Sequence, residues 1–93
     1  MKNRWRIIHY SDIYSDDGEW VINNLYPFGI ITLRSESRRA ILNALKRAGY
    51  LRPDITLRDV MIDYVGPELY EIVCRADYRP VGRIEKVLDE REL

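Results

Sequence analysis

A single helical stripe constrains this chain more than any other feature. Ile41, Leu42, Leu45 and Ala48 recur at i, i+1, i+4 and i+7, one face of a 3.6-residue repeat. Ser35 or Ser37 is placed to cap the N-terminus, with Glu36 in the first turn where a negative charge suits the helix dipole. Lys46 and Arg47 fall in the last turn, and Gly49 provides the stop. The remaining apolar residues come in short runs of β-branched and aromatic types, which suit a pleated surface rather than a second helix. One helix and several such runs predict an α+β fold, an antiparallel sheet of about five strands with one main helix packed on one face.

The strand signals give the order β-β-(β)-α-β-β-β. Residues 4–14 read as the first strand, Ser15-Asp16-Asp17-Gly18 as a turn and residues 19–25 as the returning arm of a hairpin. Tyr26-Pro27-Phe28-Gly29 interrupts pairing, because Pro27 has no N–H to donate. Residues 30–33 are then either an edge strand or the approach to the helix. Residues 57–65 and 69–78 flank Gly66-Pro67-Glu68. A three-residue loop there sets Tyr64 opposite Tyr70, Ile62 opposite Ile72 and Val60 opposite Cys74, while Asp63 and Glu71 share the other face. A two-residue loop would oppose Ile62 to Glu71 and mix the faces. After Arg79-Pro80, residues 81–87 alternate as a final strand, and residues 88–93 read as a charged tail that frays. A β-grasp-like arrangement is one named topology with these parts.

At 93 residues and 11.1 kDa, residues 1–93 are expected to form one domain. A chain of this length buries only ~60–65% of the surface its unfolded form exposes, so little core is left over for a strained catalytic interior. Hydrophobic residues at 46% and charged residues at 32% argue against disorder. Fifteen basic residues balance fifteen acidic ones, which withholds the global field that draws a protein onto nucleic acid or an anionic membrane. One cysteine cannot close an intrachain disulfide, one Cys with one His cannot build a metal set, and a reducing cytoplasm fits this usage. The basic start at Met1-Lys2-Asn3-Arg4 is not followed by the apolar run and cleavage site of a secretory leader, and no stretch approaches the ~20 apolar residues that span a bilayer. Cytoplasmic location without membrane insertion is therefore expected.

Individual residues point weakly to chemistry. His9, the single histidine, lies between Ile8 and Tyr10 and lacks an orienting partner at any suggestive spacing, so a structural role is favoured; an enzyme would need Asp12 or Glu19 turned onto it in a cleft. Cys74 sits beside Ile72 on an apolar strand face, where cysteine acts as a small hydrophobe. Asp12, Asp16, Asp17 and Glu19 gather oxygens around the first turn but match no calcium loop, and turn chemistry alone accounts for them. No catalytic residue, cofactor or metal ligand is assigned.

Two surfaces stand out. Arg38, Arg39, Lys46 and Arg47 border or occupy the solvent face of the helix, and arginine holds phosphate or carboxylate with a planar fork. In the first strand Trp5, Ile7 and Ile13 face one side, and Ile8, Tyr10 and Tyr14 the other. One helix covers one side, so part of the second either stays exposed, is covered by loops or meets another protein; aromatics are enriched at interface centres, and a tyrosine that caps the sheet with its hydroxyl in water is the equal alternative.

Tyr10-Ser11-Asp12-Ile13-Tyr14, Asp17-Gly18-Glu19-Trp20 and Asn23-Asn24, followed by residues 41–51 ending in Gly49-Tyr50-Leu51, together resemble short uncharacterised proteins encoded by bacteriophages and related mobile elements. The resemblance covers the first half of the chain and implies a non-enzymatic accessory role, with no functional residue to carry over. The leading expectation is a binding module that uses Tyr10, Tyr14 and Trp20 for a protein partner or for self-association as a homodimer. The alternative is a nucleic-acid accessory protein that holds phosphate with Arg38, Arg39, Lys46 and Arg47.

Overall fold

The computed structural model describes residues 3–10, 21–22 and 29–88. It contains β1 (Asn3–His9), β2 (Ile30–Leu33), α1 (Arg38–Arg47), β3 (Val60–Gly66), β4 (Leu69–Cys74) and β5 (Pro80–Lys86). The strands form one sheet in the order β2-β1-β5-β4-β3, with every neighbouring pair antiparallel. The α+β expectation holds, and residues 30–33 are an edge strand. The antiparallel pairing of β1 with β5 rules out a β-grasp arrangement, whose central strands run parallel. Among the described residues no helix is long and apolar enough to cross a membrane.

The expected first hairpin is replaced by longer-range pairing. β1 ends at His9 and has β2 on one side and β5 on the other. Of the supposed returning arm, Val21 and Ile22 are described and buried; Ile22 bridges Leu51, and the Arg52 N–H donates to the Val21 carbonyl at 2.9 Å. Both sides of β1 are already taken, so these two apolar residues find cover beside the exit of the helix instead. The first turn, the arm beyond Ile22 and the tail at residues 89–93 lie outside the described residues.

The β3–β4 register is the expected one, with Val60, Ile62 and Tyr64 opposite Cys74, Ile72 and Tyr70. The turn is nonetheless tighter than three residues. Gly66 pairs with Leu69, leaving Pro67-Glu68 as the loop and Val65 as an unpaired extra residue, 57% exposed. A bulge absorbs the one-residue offset that would otherwise mix the faces. β4 stops at Cys74, before the predicted end at residue 78, because residues 75–77 turn and Tyr78 adopts φ 59°.

Ser37 is the N-cap of α1, its Oγ accepting the Ala40 N–H at 3.1 Å, while the Ser35 Oγ accepts the Ser37 N–H at 3.2 Å. Glu36 thus stands before the cap rather than in the first turn. The C-cap is Ala48, one residue earlier than expected. Gly49 at φ 85° then reverses the chain so that the Tyr50 N–H donates to the Leu45 carbonyl at 3.0 Å. Ile41, Leu42 and Leu45 pack with Ile31, Leu33 and Ile62 in one core cluster. Trp5, Tyr70 and Tyr64 stack edge to face, each neighbouring pair of centroids 5.5 Å apart. The Trp5 indole N–H is buried without an acceptor, which costs about 1–3 kcal/mol. Burial of its ring, at ~4–6 kcal/mol, offsets this.

Tyr50 reaches the middle of the sheet. Its hydroxyl donates to the Val81 carbonyl at 2.7 Å, and that carbonyl also accepts the Tyr10 N–H at 3.1 Å. The approach requires glycine at position 82. A Cβ there would collide with the Tyr50 hydroxyl oxygen and stand 2.7 Å from the Ile8 carbonyl. Gly82→Ala is expected to destabilise the fold by about 1–3 kcal/mol through overpacking. Urea denaturation should show a smaller loss when the same substitution is made in a Tyr50→Phe background, where the colliding oxygen is gone.

Candidate binding site on the helix face

α1 carries Arg39, Asn43 and Arg47 at intervals of four, so they form one exposed stripe along its outer surface. The helix is tied down on both flanks by two of its own cations. Arg38 donates from Nε to the Ile62 carbonyl on β3 at 3.1 Å, and Lys46 from Nζ to the Ile55 carbonyl at 2.9 Å. Of the four basic residues singled out from sequence, these two therefore brace the helix, while Arg39 and Arg47 extend into water.

Two hollows lie beside the stripe. One, of about 390 Å³, is lined by Thr32, Arg34, Ser35, Asn43 and Arg47 among others; the second, about 520 Å³, lies between α1 and residues 55–58 and includes Arg39, Lys46, Thr56 and Arg58. Among the described residues no carboxylate lines either. Arg34 and Arg58 were not picked out from sequence. Arg34 precedes the helix by a few positions and was open to inspection, but Arg58 joins the stripe only because the loop after the helix folds back.

The described residues hold 13 of the 15 basic side chains and 8 of the 15 acidic ones.

The sheet face turned away from α1 has a different character. Cross-strand neighbours set Arg6 opposite Glu85 and Arg83 opposite Glu71, and the Arg83 Nε lies 2.9 Å from the Glu85 Oε2. Tyr10 sits on this face, half-buried. Its hydroxyl donates to the Glu71 Oε2 at 3.2 Å, and the Arg83 guanidinium lies 5.9 Å from its ring centroid. Tyr14 and Trp20, the other two residues of the proposed protein-binding face, lie outside the described residues. The described part of this face mixes opposed charges with apolar side chains, among them Ile8, Tyr10, Met61, Leu69 and Val73.

His9 is on the helix side, against Tyr50, with ring centroids 5.5 Å apart and the Nδ1 3.4 Å from the Tyr50 hydroxyl. The single Tyr50 proton goes to Val81, so Nδ1–H is the donor toward Tyr50. His9 thereby serves the core. Cys74 is buried in the core cluster, and among the described residues no group of His, Cys, Asp and Glu is arranged to hold a metal ion. Asp12, Asp16, Asp17 and Glu19 fall outside the described residues.

Two tyrosines titrate unusually. Burial raises the Tyr10 hydroxyl above the ordinary phenol value, and the adjacent Glu71 charge raises it further. Burial likewise raises Tyr70, whose hydroxyl donates to the Glu36 Oε1 at 3.1 Å. Above the ordinary phenol pKa of ~10 the unfolded chain releases these protons while the folded chain keeps them, so folding stability falls as pH rises further. Thermal melts should show their full contribution below about pH 9 and a decline beyond ~10, made shallower by either Tyr10→Phe or Tyr70→Phe.

Comparison of the chain with protein-family models, with curated proteins and with solved structures finds no match.

Proposed function

We propose that this chain is a small non-enzymatic binding module, encoded by a bacteriophage or mobile element and acting in the host cytoplasm, that engages an anionic partner through the outer face of α1. The observation that carries this reading is the arginine stripe with its two flanking hollows, in which cations from the helix and from both adjoining loops converge with no carboxylate among the described lining residues. Arginine forks at Arg34, Arg39, Arg47 and Arg58 suit bidentate contact with phosphate or carboxylate oxygens. The braces from Arg38 and Lys46 lower the ordering cost on binding, because they hold the helix before a ligand arrives. Nucleic-acid phosphate and acidic protein segments are the partner classes this chemistry serves.

The aromatic surface around Tyr10, Tyr14 and Trp20 is the second reading, for a protein partner or a second copy. What favours it is a half-buried tyrosine already fixed in place by Glu71 and Arg83. The same contacts occupy its hydroxyl, so the helix face takes precedence.

The protein is expected to bind phosphocellulose at pH 7 and low salt despite its balanced charge, and to elute as ionic strength shortens the Debye length below about 8–10 Å. Arg39→Glu combined with Arg47→Glu should pass through unretained. Equal retention of the wild type and this double variant would remove the helix face from the proposal.

A further inference from the structure

We infer that the free edge of β2 receives an extended, acidic segment of a partner protein as a sixth strand, an inference that rests on the anionic-partner reading above. Strand phase determines which backbone groups are available. The Ile7 N–H donates to the Gly29 carbonyl at 3.1 Å, which makes Ile7 and Gly29 a hydrogen-bonded pair. Alternation along an antiparallel ladder then turns Ile31 and Leu33 toward β1, opposite Trp5 and Asn3, and turns the N–H and C=O of Ile30 and Thr32 outward. Among the described residues β2 is the last strand on this side of the sheet, and these groups point away from it.

The opposite margin is treated differently. On β3 the Arg75 N–H donates to the Asp59 carbonyl at 2.9 Å, which sets Ile62 in an outward-facing phase, and its carbonyl is covered by Arg38. One margin carries an arginine guard at Ile62; among the described residues the other carries none and lies beside a trough.

That trough joins the 390 Å³ hollow to a second of about 280 Å³; Thr32 and Arg47 line both. Its far wall is the side of α1 bearing Ala40, Ala44 and Ala48, short side chains that leave room for those of an added strand. Arg34 and Arg47 supply positive charge, no carboxylate is among the described residues lining either part, and Ile30, 42% exposed, offers an apolar contact at one end. An occupant needs an extended backbone to meet Ile30 and Thr32, together with acidic side chains for Arg34 and Arg47. An acidic protein strand has both. A second copy of β2 would bring these arginines against their own counterparts, and like charges across an interface oppose pairing. Nucleic acid satisfies the arginines but lacks the repeating N–H and C=O of a strand.

The test uses the full chain with a short capped peptide alternating valine and glutamate, its valine–lysine counterpart, and an oligodeoxythymidylate. The glutamate peptide is expected to bind and to slow hydrogen exchange at the Ile30 and Thr32 amides. Thr32→Pro deletes an outward N–H and no bond to β1, so it should weaken peptide affinity by about tenfold or more. Arg47→Ala should weaken it several-fold. If Thr32→Pro does not fold, amide protection in the peptide-saturated wild type decides, and its absence overturns the inference. Equal binding of the lysine peptide, unchanged affinity in a folded Thr32→Pro, or a sedimenting dimer that Thr32→Pro dissolves would each overturn it too. Binding of the oligonucleotide without the peptide would overturn it while leaving the anionic-partner reading standing. Failure of every anion, phosphocellulose included, would end both.

Discussion

The hydroxyl of Tyr50 touches the centre of the sheet, and much of the molecule's geometry follows from that contact. β5 is the middle strand, and at Gly82 it has no side chain, so a ring leaving the end of α1 can press down onto the backbone and donate to Val81. His9 closes the arrangement from β1. The last turn of the helix is thereby anchored to the strand that joins both halves of the sheet, while Arg38 anchors the first turn to β3. Fixed at both ends, the helix presents its stripe of arginines at a constant attitude.

Charge is organised by the same framework. On the sheet face away from the helix, Arg6 stands opposite Glu85 and Arg83 opposite Glu71, and Arg83 also meets Glu85 along its own strand. On the helix face the described side chains lining the hollows are basic or uncharged. Local potential depends on such clustering and not on the total alone.

Features with a period were legible from the residues alone. The 3.6-residue stripe located α1 and its serine cap, and the period-two alternation around Gly66 gave the β3–β4 register pair by pair. Features set by distant partners were not. Nothing near residue 22 announces Leu51, and nothing near β1 announces that its second neighbour begins at residue 80. Gly82 read as an ordinary place in an alternating strand, because its meaning depends on a tyrosine 32 positions earlier. Of the candidate site, the charge on Arg38, Arg39, Lys46 and Arg47 was visible. That two of these cations would be consumed as braces, and that Arg34 and Arg58 would join the others, depended on the folded loops.

The unequal margins of the sheet bear on how copies of this molecule behave in a crowd. Endless stacking needs two receptive borders per subunit, one to give and one to take. On β3 a guanidinium sits on the Ile62 carbonyl, so an incoming ribbon meets an obstacle midway along that border. Propagation through both borders is thereby hindered at β3, which leaves β2 the readier of the two to accept a strand.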